Sequence, residues 1–403
     1  MNTRLLSKGL ISGLMLAWLL PAHAGEMRAV VDPIATMSAK PVAQAPTPQG
    51  LATSPGPVPV IVRSAYGGRI FGFDIDQGGT HGLLTEAQTL DNGDVLAAVE
   101  KFDQRTGRIV RIVEVTEGDD DFVTLGIVDD NVGLVMRERP GGLRTFGVLM
   151  PPNADKFTRP WTPPITSHHI IESVSRSQGS HRAAAYAYDN SSAFESLVFN
   201  TNVGANTFGT PIVMTDPSFM TGLVPMLAYN SVTDQALLGI QTLGEPFVGP
   251  TLALVDFGSG TTQIFSGVGL GNVNGMAVDS ATNIACTTTE IDFSVQFYDL
   301  STQSGFSQFL PGAISQFYSG ADVALDPINH LFLVAQPNSS TDPGASSIYV
   351  YDEQGTLLDA IGGFHFANAG SVVFAHIALN PAERIGYVDG PDPNVTELQK
   401  FTY

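Results

Sequence analysis

Beyond about residue 60 the chain is written in short runs of alternating apolar and polar residues. They are bounded by Gly, Asn, Asp, Ser and Pro, the pattern of half-buried β-strands joined by tight turns. The runs repeat. Asn274-Gly-Met-Ala-Val-Asp279, Ala321-Asp-Val-Ala-Leu-Asp326 and Ala375-His-Ile-Ala-Leu-Asn380 are each an alternating strand that ends in Asp or Asn at a turn, and Pro225-Met-Leu-Ala-Tyr-Asn230 is a fourth copy. A second apolar run follows each of them: Ala236 to Ile240, Ile284 to Thr287, Leu331 to Ala335 and Ile385 to Val388. A third run ends at Asp256, Asp299 and Asp352 in three copies, and the last copy finishes at Leu398 to Tyr403.

Fainter copies centre on Asp91, Asp129 and Asp189, which makes seven anchors: Asp91, Asp129, Asp189, Asn230, Asp279, Asp326 and Asn380. Their separations of 38 to 60 residues suit a module of about four antiparallel strands with variable loops. The expected fold is therefore all-β: a single β-propeller over residues 60–403 with seven blades, six or eight being the neighbouring counts. Arg69 to Ile75 supplies a strand before the first anchor, and Leu398 to Tyr403 supplies one at the other end. One blade completed by both ends would close the ring and remove exposed sheet edges. A set of Greek-key sandwiches is the competing architecture, but sandwiches do not repeat an internal motif.

The first residues change the picture of where the protein works. Arg4 and Lys8 precede an apolar run from Leu10 to Leu20, and Pro21-Ala22-His23-Ala24 stands before Gly25, the layout of a signal peptide spanning residues 1–24. The run is shorter than the roughly 20 apolar residues of a membrane span. Residues 25–59, with Pro41, Pro46, Pro48, Pro55 and Pro57, read as a Pro/Ala-rich flexible leader. The expected location is periplasmic or extracellular, and the expected mature form is a monomer with no membrane span.

Loss of Arg4 and Lys8 leaves 17 basic against 39 acidic residues, a formal charge of −22 that repels polyanions and argues against a nucleic-acid partner. The single Cys286 excludes an intramolecular disulfide and, within Asn283-Ile-Ala-Cys286, reads as a small core hydrophobe. Hydrolase elbows, zinc-protease helices, phosphate loops and EF-hand loops do not occur in the sequence. Gly267-Val-Gly-Leu-Gly271 lacks dinucleotide-site spacing, and Trp161 alone survives signal removal, too few tryptophans for a quinone-holding propeller.

Asn274 to Asp279 with its following strands, and the echo from Asp322 to Asp352, resemble the blade repeats of the NHL/YVTN and gluconolactonase-like propeller superfamily. The resemblance is clear over residues 225–403 and faint over 65–224, and it lies at the level of fold. It implies that a site would lie at the mouth of the central channel, where innermost strands converge.

Two residues before the anchors stand mostly small side chains, among them Ala187, Ala228, Ala277, Ala324 and Ala378. Four residues before them, on the same face by the period of two, come Asp322 and His376, the expected channel-facing polar groups and the two catalytic candidates. One step further out lie Glu86 and Asn274, on the opposite face unless the strand has given way to loop. In lactonase-type relatives a divalent ion is held by carboxylate and amide groups at such strand starts. The metal candidates here are thus Asn274, Asp322, His376 and Glu86, with calcium the ion implied. Asn274 most resembles one of those ligands, whereas Pro225, Ala321 and Ala375 occupy the equivalent positions in other copies.

Glu117-Gly-Asp-Asp-Asp121 concentrates carboxylates but suits a solvated turn, and His168-His169, after Trp161, falls in the longest gap between anchors. Two functions follow. The first is an exported module that binds a protein or small-molecule ligand through its face loops. The alternative is a metal-dependent hydrolase of sugar lactones or esters. Convergence of the four candidates at one end of the channel would favour hydrolysis; scatter would favour binding.

Overall fold

The computed structural model describes residues 61–77, 79–118, 121–129, 132–139, 142–149, 157–160, 169–176, 181–189, 196–202, 205, 207–214, 226–240, 250–268, 273–289, 294–309, 319–320, 322–336, 346–364, 373–374, 376–389 and 397–403. The expected signal peptide and leader lie outside these residues, as do residues 161–168 and 269–271.

The described chain is all strand and turn. After β1 (Ile61–Arg63), four strands β2 (Arg69–Ile75), β3 (His81–Thr89), β4 (Val95–Asp103) and β5 (Ile109–Gly118) form an antiparallel sheet in chain order. So do β6 (Asp121–Asp129), β7 (Val132–Arg139), β8 (Gly142–Leu149) and β9 (Phe157–Pro160). The next sheet holds β10 (His169–Arg176), β11 (Arg182–Asp189), β12 (Ser196–Asn202), β13 (Thr207–Phe208) and β14 (Ile212–Met214).

Four-stranded sheets follow from β15 (Met226–Asn230), β16 (Gln235–Ile240), β17 (Thr251–Asp256) and β18 (Thr261–Ser266), and from β19 (Val273–Asp279), β20 (Ile284–Thr289), β21 (Ser294–Asp299) and β22 (Ser304–Phe309). Between β23 (Ser319–Gly320) and β28 (Val373–Phe374), which pair in parallel, lie β24 (Asp322–Asp326), β25 (Leu331–Gln336), β26 (Ser346–Asp352) and β27 (Leu357–Phe364). The last sheet runs β29 (Ile377–Asn380), β30 (Ile385–Asp389), β31 (Glu397–Thr402) and then β1.

The first strands of successive sheets pack on one another: β2 on β6, β6 on β10, β10 on β15, β15 on β19, β19 on β24 and β24 on β29. These are the innermost strands of a single all-β propeller. The apolar core lies between neighbouring sheets. Cys286, Phe297, Val323, Phe332 and Tyr351 form one cluster across two sheets, and Leu227, Tyr229, Ala236 and Val255 pack with Tyr186 and Val198 in another. Cys286 is fully buried there, and burial pushes its thiol pKa well up, as expected of a core residue.

The structure corrects three expectations from the sequence. Seven blades were expected, and among the described residues the structure shows six four-stranded blades, not seven; the five-stranded sheet of β10–β14 departs from the form. Its outer edge is broken at Gly209-Thr210-Pro211 between β13 and β14, where Pro211 has no N–H for a ladder. Asp91 and Asp189 are not anchors of innermost strands either. They follow or end β3 and β11, each the second strand of its sheet, because Asp at a hairpin turn suits any strand end. Finally, Arg69 to Ile75 does not close a blade with the last strand. It is β2, the innermost strand of its own sheet, and β1 pairs with β31 instead, Val62 opposite Leu398.

At the ends of β15, β19, β24 and β29 the anchor side chain is put to use in the fold. One oxygen caps its own turn: Asn230 Oδ1 accepts from the Val232 N–H at 2.9 Å, Asp279 Oδ1 from Ala281 at 2.8 Å, and Asp326 Oδ1 from Ile328 at 2.9 Å. In three sheets the other end of the side chain reaches the neighbouring sheet. Asn230 Nδ2 donates to Asn283 Oδ1 at 2.8 Å, His330 Nδ1 donates to Asp279 Oδ2 at 2.7 Å, and Asn380 Nδ2 donates to Gln104 Oε1 at 2.9 Å. Asn283 and His330 are left-handed, with φ of 62° and 55°, the conformation that turns their side chains to this task.

Gln104 is the buried hub where the last sheet meets the β2–β5 sheet. Its Nε2 donates to the carbonyls of Asp76 and His81, both at 2.7 Å, while its own backbone carbonyl accepts from Tyr387 Oη at 2.5 Å and Lys400 Nζ at 2.8 Å. Burial lowers the Lys400 pKa, the mark of an ammonium drawn out of water to reach this junction. Gln104→Ala would remove three hydrogen bonds at this buried junction, to the Asp76 and His81 carbonyls and from Asn380, and is expected to cost about 2–4 kcal/mol. Urea denaturation followed by circular dichroism would measure the loss.

Candidate functional site

The two ends of the innermost strands differ. Each described anchor turn is short and internally hydrogen-bonded: residues 231–234, 280–283, 327–330 and 381–384. The opposite ends, where innermost strands begin, receive the connections between sheets, which are longer than these turns before β10, β15, β19, β24 and β29 and only two residues before β6. On this side the chain places Arg69, Asp121, His169, Asn274 and Asp322 at or one residue inside a strand start, with His376 just ahead of β29. His169 thus opens an innermost strand, whereas its place in the longest gap between anchors suggests a loop.

Asp322 and His376 meet. They stand at the starts of neighbouring strands, with Asp322 Oδ2 at 3.9 Å from His376 Nδ1, and the same oxygen accepts from the Ile377 N–H at 3.1 Å. Asp322 Oδ1 accepts from the N–H of Val323 at 2.8 Å. Asp322 therefore ties β24 to β29 and still faces solvent, its side chain 25% exposed and that of His376 58% exposed. An imidazole and a carboxylate so placed present hydrogen-bonding nitrogen and oxygen atoms to a ligand.

Asn274 lies one sheet away on β19, at a register shift between Val273 and Gly275. Its side chain is 4% exposed, and neither its Oδ1 nor its Nδ2 finds a partner among the described residues. A buried amide in that state is costly and marks a place where a further group would be welcome.

Glu86 does not join them. It sits inside β3, fully buried, and its carboxylate accepts from the N–H groups of Tyr66 at 3.0 Å and Gly68 at 2.7 Å. Beside it, the equally buried Glu100 accepts from the Ala65 N–H and hydrogen-bonds Glu86. The two carboxyl groups thus clamp the link between β1 and β2. Burial, then the hydrogen bond and charge of Glu86, push the Glu100 pKa up to about 8, so the pair carries a proton at neutral pH. Gly68 is required where it is: a Cβ there would lie 2.8 Å from Glu86 Oε2 and from the Ala87 carbonyl.

One cluster is not visible in the sequence pattern. On the opposite, short-turn side, Asp279, His330 and Glu353 bring a carboxylate oxygen, an imidazole nitrogen and a second carboxylate oxygen within 4.8 Å of one another. Glu353 also accepts from the Thr282 hydroxyl. Asp279 stands out as an anchor. His330 would stand out only on aligning the last residue of each turn, where other copies carry Asp234, Asn283 and Arg384.

No protein-family model matches this chain, and no curated protein sequence matches it. Solved structures do. The β-propeller domain of Cps50 (Swd1) from Myceliophteria thermophila aligns over 87% of this chain and 100% of that one, at 11% identity and a TM-score of 0.55. The structure of U3-55K aligns over 86% and 100% at 10% identity and 0.59, and the RRP9 WD40 repeats over 86% and 98% at 11% identity and 0.58. The fold is that of a β-propeller. At such identity the likeness is one of architecture.

Glu100 makes stability depend on pH with a definite sign. Its proton is held in the folded state up to about pH 8 and released near 4.5 when unfolded, so its contribution is full at acidic pH and declines as pH rises through that window. Glu100→Gln keeps a donor beside Glu86 and removes this titration. The melting temperature of the variant relative to the parent is expected to climb from pH 5 to pH 8, which differential scanning calorimetry across that range would show.

Proposed function

We propose that this chain is an exported propeller that binds a protein partner through the face on which the innermost strands begin. The observation that carries this reading is the asymmetry of the two faces. One face is closed by short turns whose polar groups are spent on the fold. The other receives the long connections and offers Asp322 and His376 to solvent. Neighbours of the same architecture, among them the RRP9 WD40 repeats, make a repeated scaffold with variable loops a reasonable basis for an interaction module. Within the propellers, the Asn274–Asp279 repeat favours an NHL/YVTN-like relationship. Export rests on the sequence of residues 1–24, and the acidic mature chain favours a partner with a basic surface.

The hydrolase reading is weaker on the same geometry. A calcium ion takes 6–8 oxygen ligands, whereas Glu86 is committed to Tyr66 and Gly68, and Asp322 is the one carboxylate of the four candidates left at the partly exposed strand starts. The lactonase-type cage does not fit these residues. Asn274, buried and without a side-chain partner among the described residues, is the one observation that favours a small ligand there.

The test uses the buried Cys286, which leaves an introduced thiol as the reactive one. His376→Cys and Ile328→Cys, labelled with a photoactivatable maleimide, probe the two faces against the exported protein fraction of the source cells. Adducts formed from position 376 and absent from position 328 are expected, with loss of the adduct when Asp322→Asn is added. Equal labelling from both positions, or turnover of a lactone or ester panel that Asp322→Asn abolishes, would overturn the binding reading.

A further inference from the structure

The cluster on the short-turn face does something the fold does not ask of it. At the same latch between sheets, Asn230 meets Asn283, and Asn380 meets Gln104, each a neutral amide pair. The latch between β19 and the β24–β27 sheet is instead built from ionisable groups, Asp279 and His330, and a second carboxylate, Glu353, is brought to the same point from the turn after β26. A neutral pair performs the mechanical task elsewhere in this chain, so the charged trio calls for a separate explanation. Two carboxylates converging on one imidazole form a donor set that a dication would balance.

We infer that Asp279, His330 and Glu353 form a binding site for a late first-row divalent cation such as Zn2+. The donor set, one nitrogen and two carboxylate oxygens, suits zinc and is too poor in oxygen for calcium. Metal–ligand bonds of about 2.0–2.2 Å place neighbouring donors roughly 3.2–3.6 Å apart in a tetrahedron. The present separations, 2.7 Å from His330 Nδ1 to Asp279 Oδ2 and 3.9 Å from His330 Nδ1 to Glu353 Oε1, bracket that value, and all three donor atoms lie within 4.8 Å of one another.

Binding replaces the hydrogen-bonded proton between His330 and Asp279 with the cation. Asp279 is 1% exposed and capped by Ala281, Glu353 is 12% exposed, and His330 is 45% exposed, so two ligands are held firmly while the fourth position opens to solvent. The ion would join the β19–β22 sheet to the β24–β27 sheet, on the face opposite Asp322 and His376.

Isothermal titration of ZnCl2 into the metal-free mature chain, with melting temperatures in Zn2+ and in chelator, tests the site. One Zn2+ per chain and a rise in melting temperature are expected. His330→Asn installs the residue found at the equivalent left-handed position 283, and Glu353→Gln is isosteric. Both are expected to keep the metal-free melting temperature within a few degrees and to weaken zinc binding at least about tenfold. His376→Ala is expected to leave binding unchanged. Absence of stoichiometric uptake by the parent chain, uptake unaltered in both cluster variants, or uptake lost in His376→Ala alone would each overturn the proposal.

Discussion

An innermost strand of this protein ends against two demands: the chain must reverse within four residues, and the sheet must hold its neighbour. A short side chain with two polar ends meets both. Asn230 caps its turn through Oδ1 and grips Asn283 through Nδ2; Asp279 does the same with Ala281 and His330. Removing such a group would loosen a turn and separate neighbouring sheets in one stroke, which explains why Asp or Asn recurs there. The repeated motif in the sequence is architectural, and chemistry has to be sought away from it or in departures from it.

That constraint also divides the molecule. Where innermost strands end, polar groups are consumed by capping and latching, and the turns are short. Where they begin, Asp322 supports one backbone N–H of the next strand and keeps exposure to spare, and His376 stands beside it. On the first face most anchor groups hold the fold together; on the second, Asp322 and His376 are partly exposed to a ligand. Glu86 and Glu100 show a third outcome, in which carboxylates near the strand starts are drawn inward to hold the segment from Ala65 to Gly68.

Much of the architecture was legible from alternation and from the Asp and Asn turns: the all-β class, the repeat, and the strands from Met226 to Tyr403 largely as drawn. The first half was harder for a physical reason. Asp91 and Asp189 end hairpin strands as well as true anchors do, so turn chemistry alone could not tell first strands from second. The pairing of β1 with β31 joins only three residues, too few to show as periodicity. Of the site, the neighbourhood of Asp322 and His376 followed from the period of two. The burial of Glu86 did not, because its partners at Tyr66 and Gly68 are backbone N–H groups, which no side-chain pattern signals. His330 and Glu353 meet Asp279 through tertiary contacts between separate turns, which no local pattern encodes.

The pairing of β1 with β31 sets the order in which the molecule can be finished. Arg63 and Glu397, joined across that ladder, are 334 residues apart in the chain. During synthesis β1 waits for its β31 partner until residues 397–402 have emerged, after the strands of the other described sheets. Contacts of such long range slow folding. β1 is thus held by the described strand made furthest from it, and loss of β31 would leave Ile61–Arg63 without its ladder.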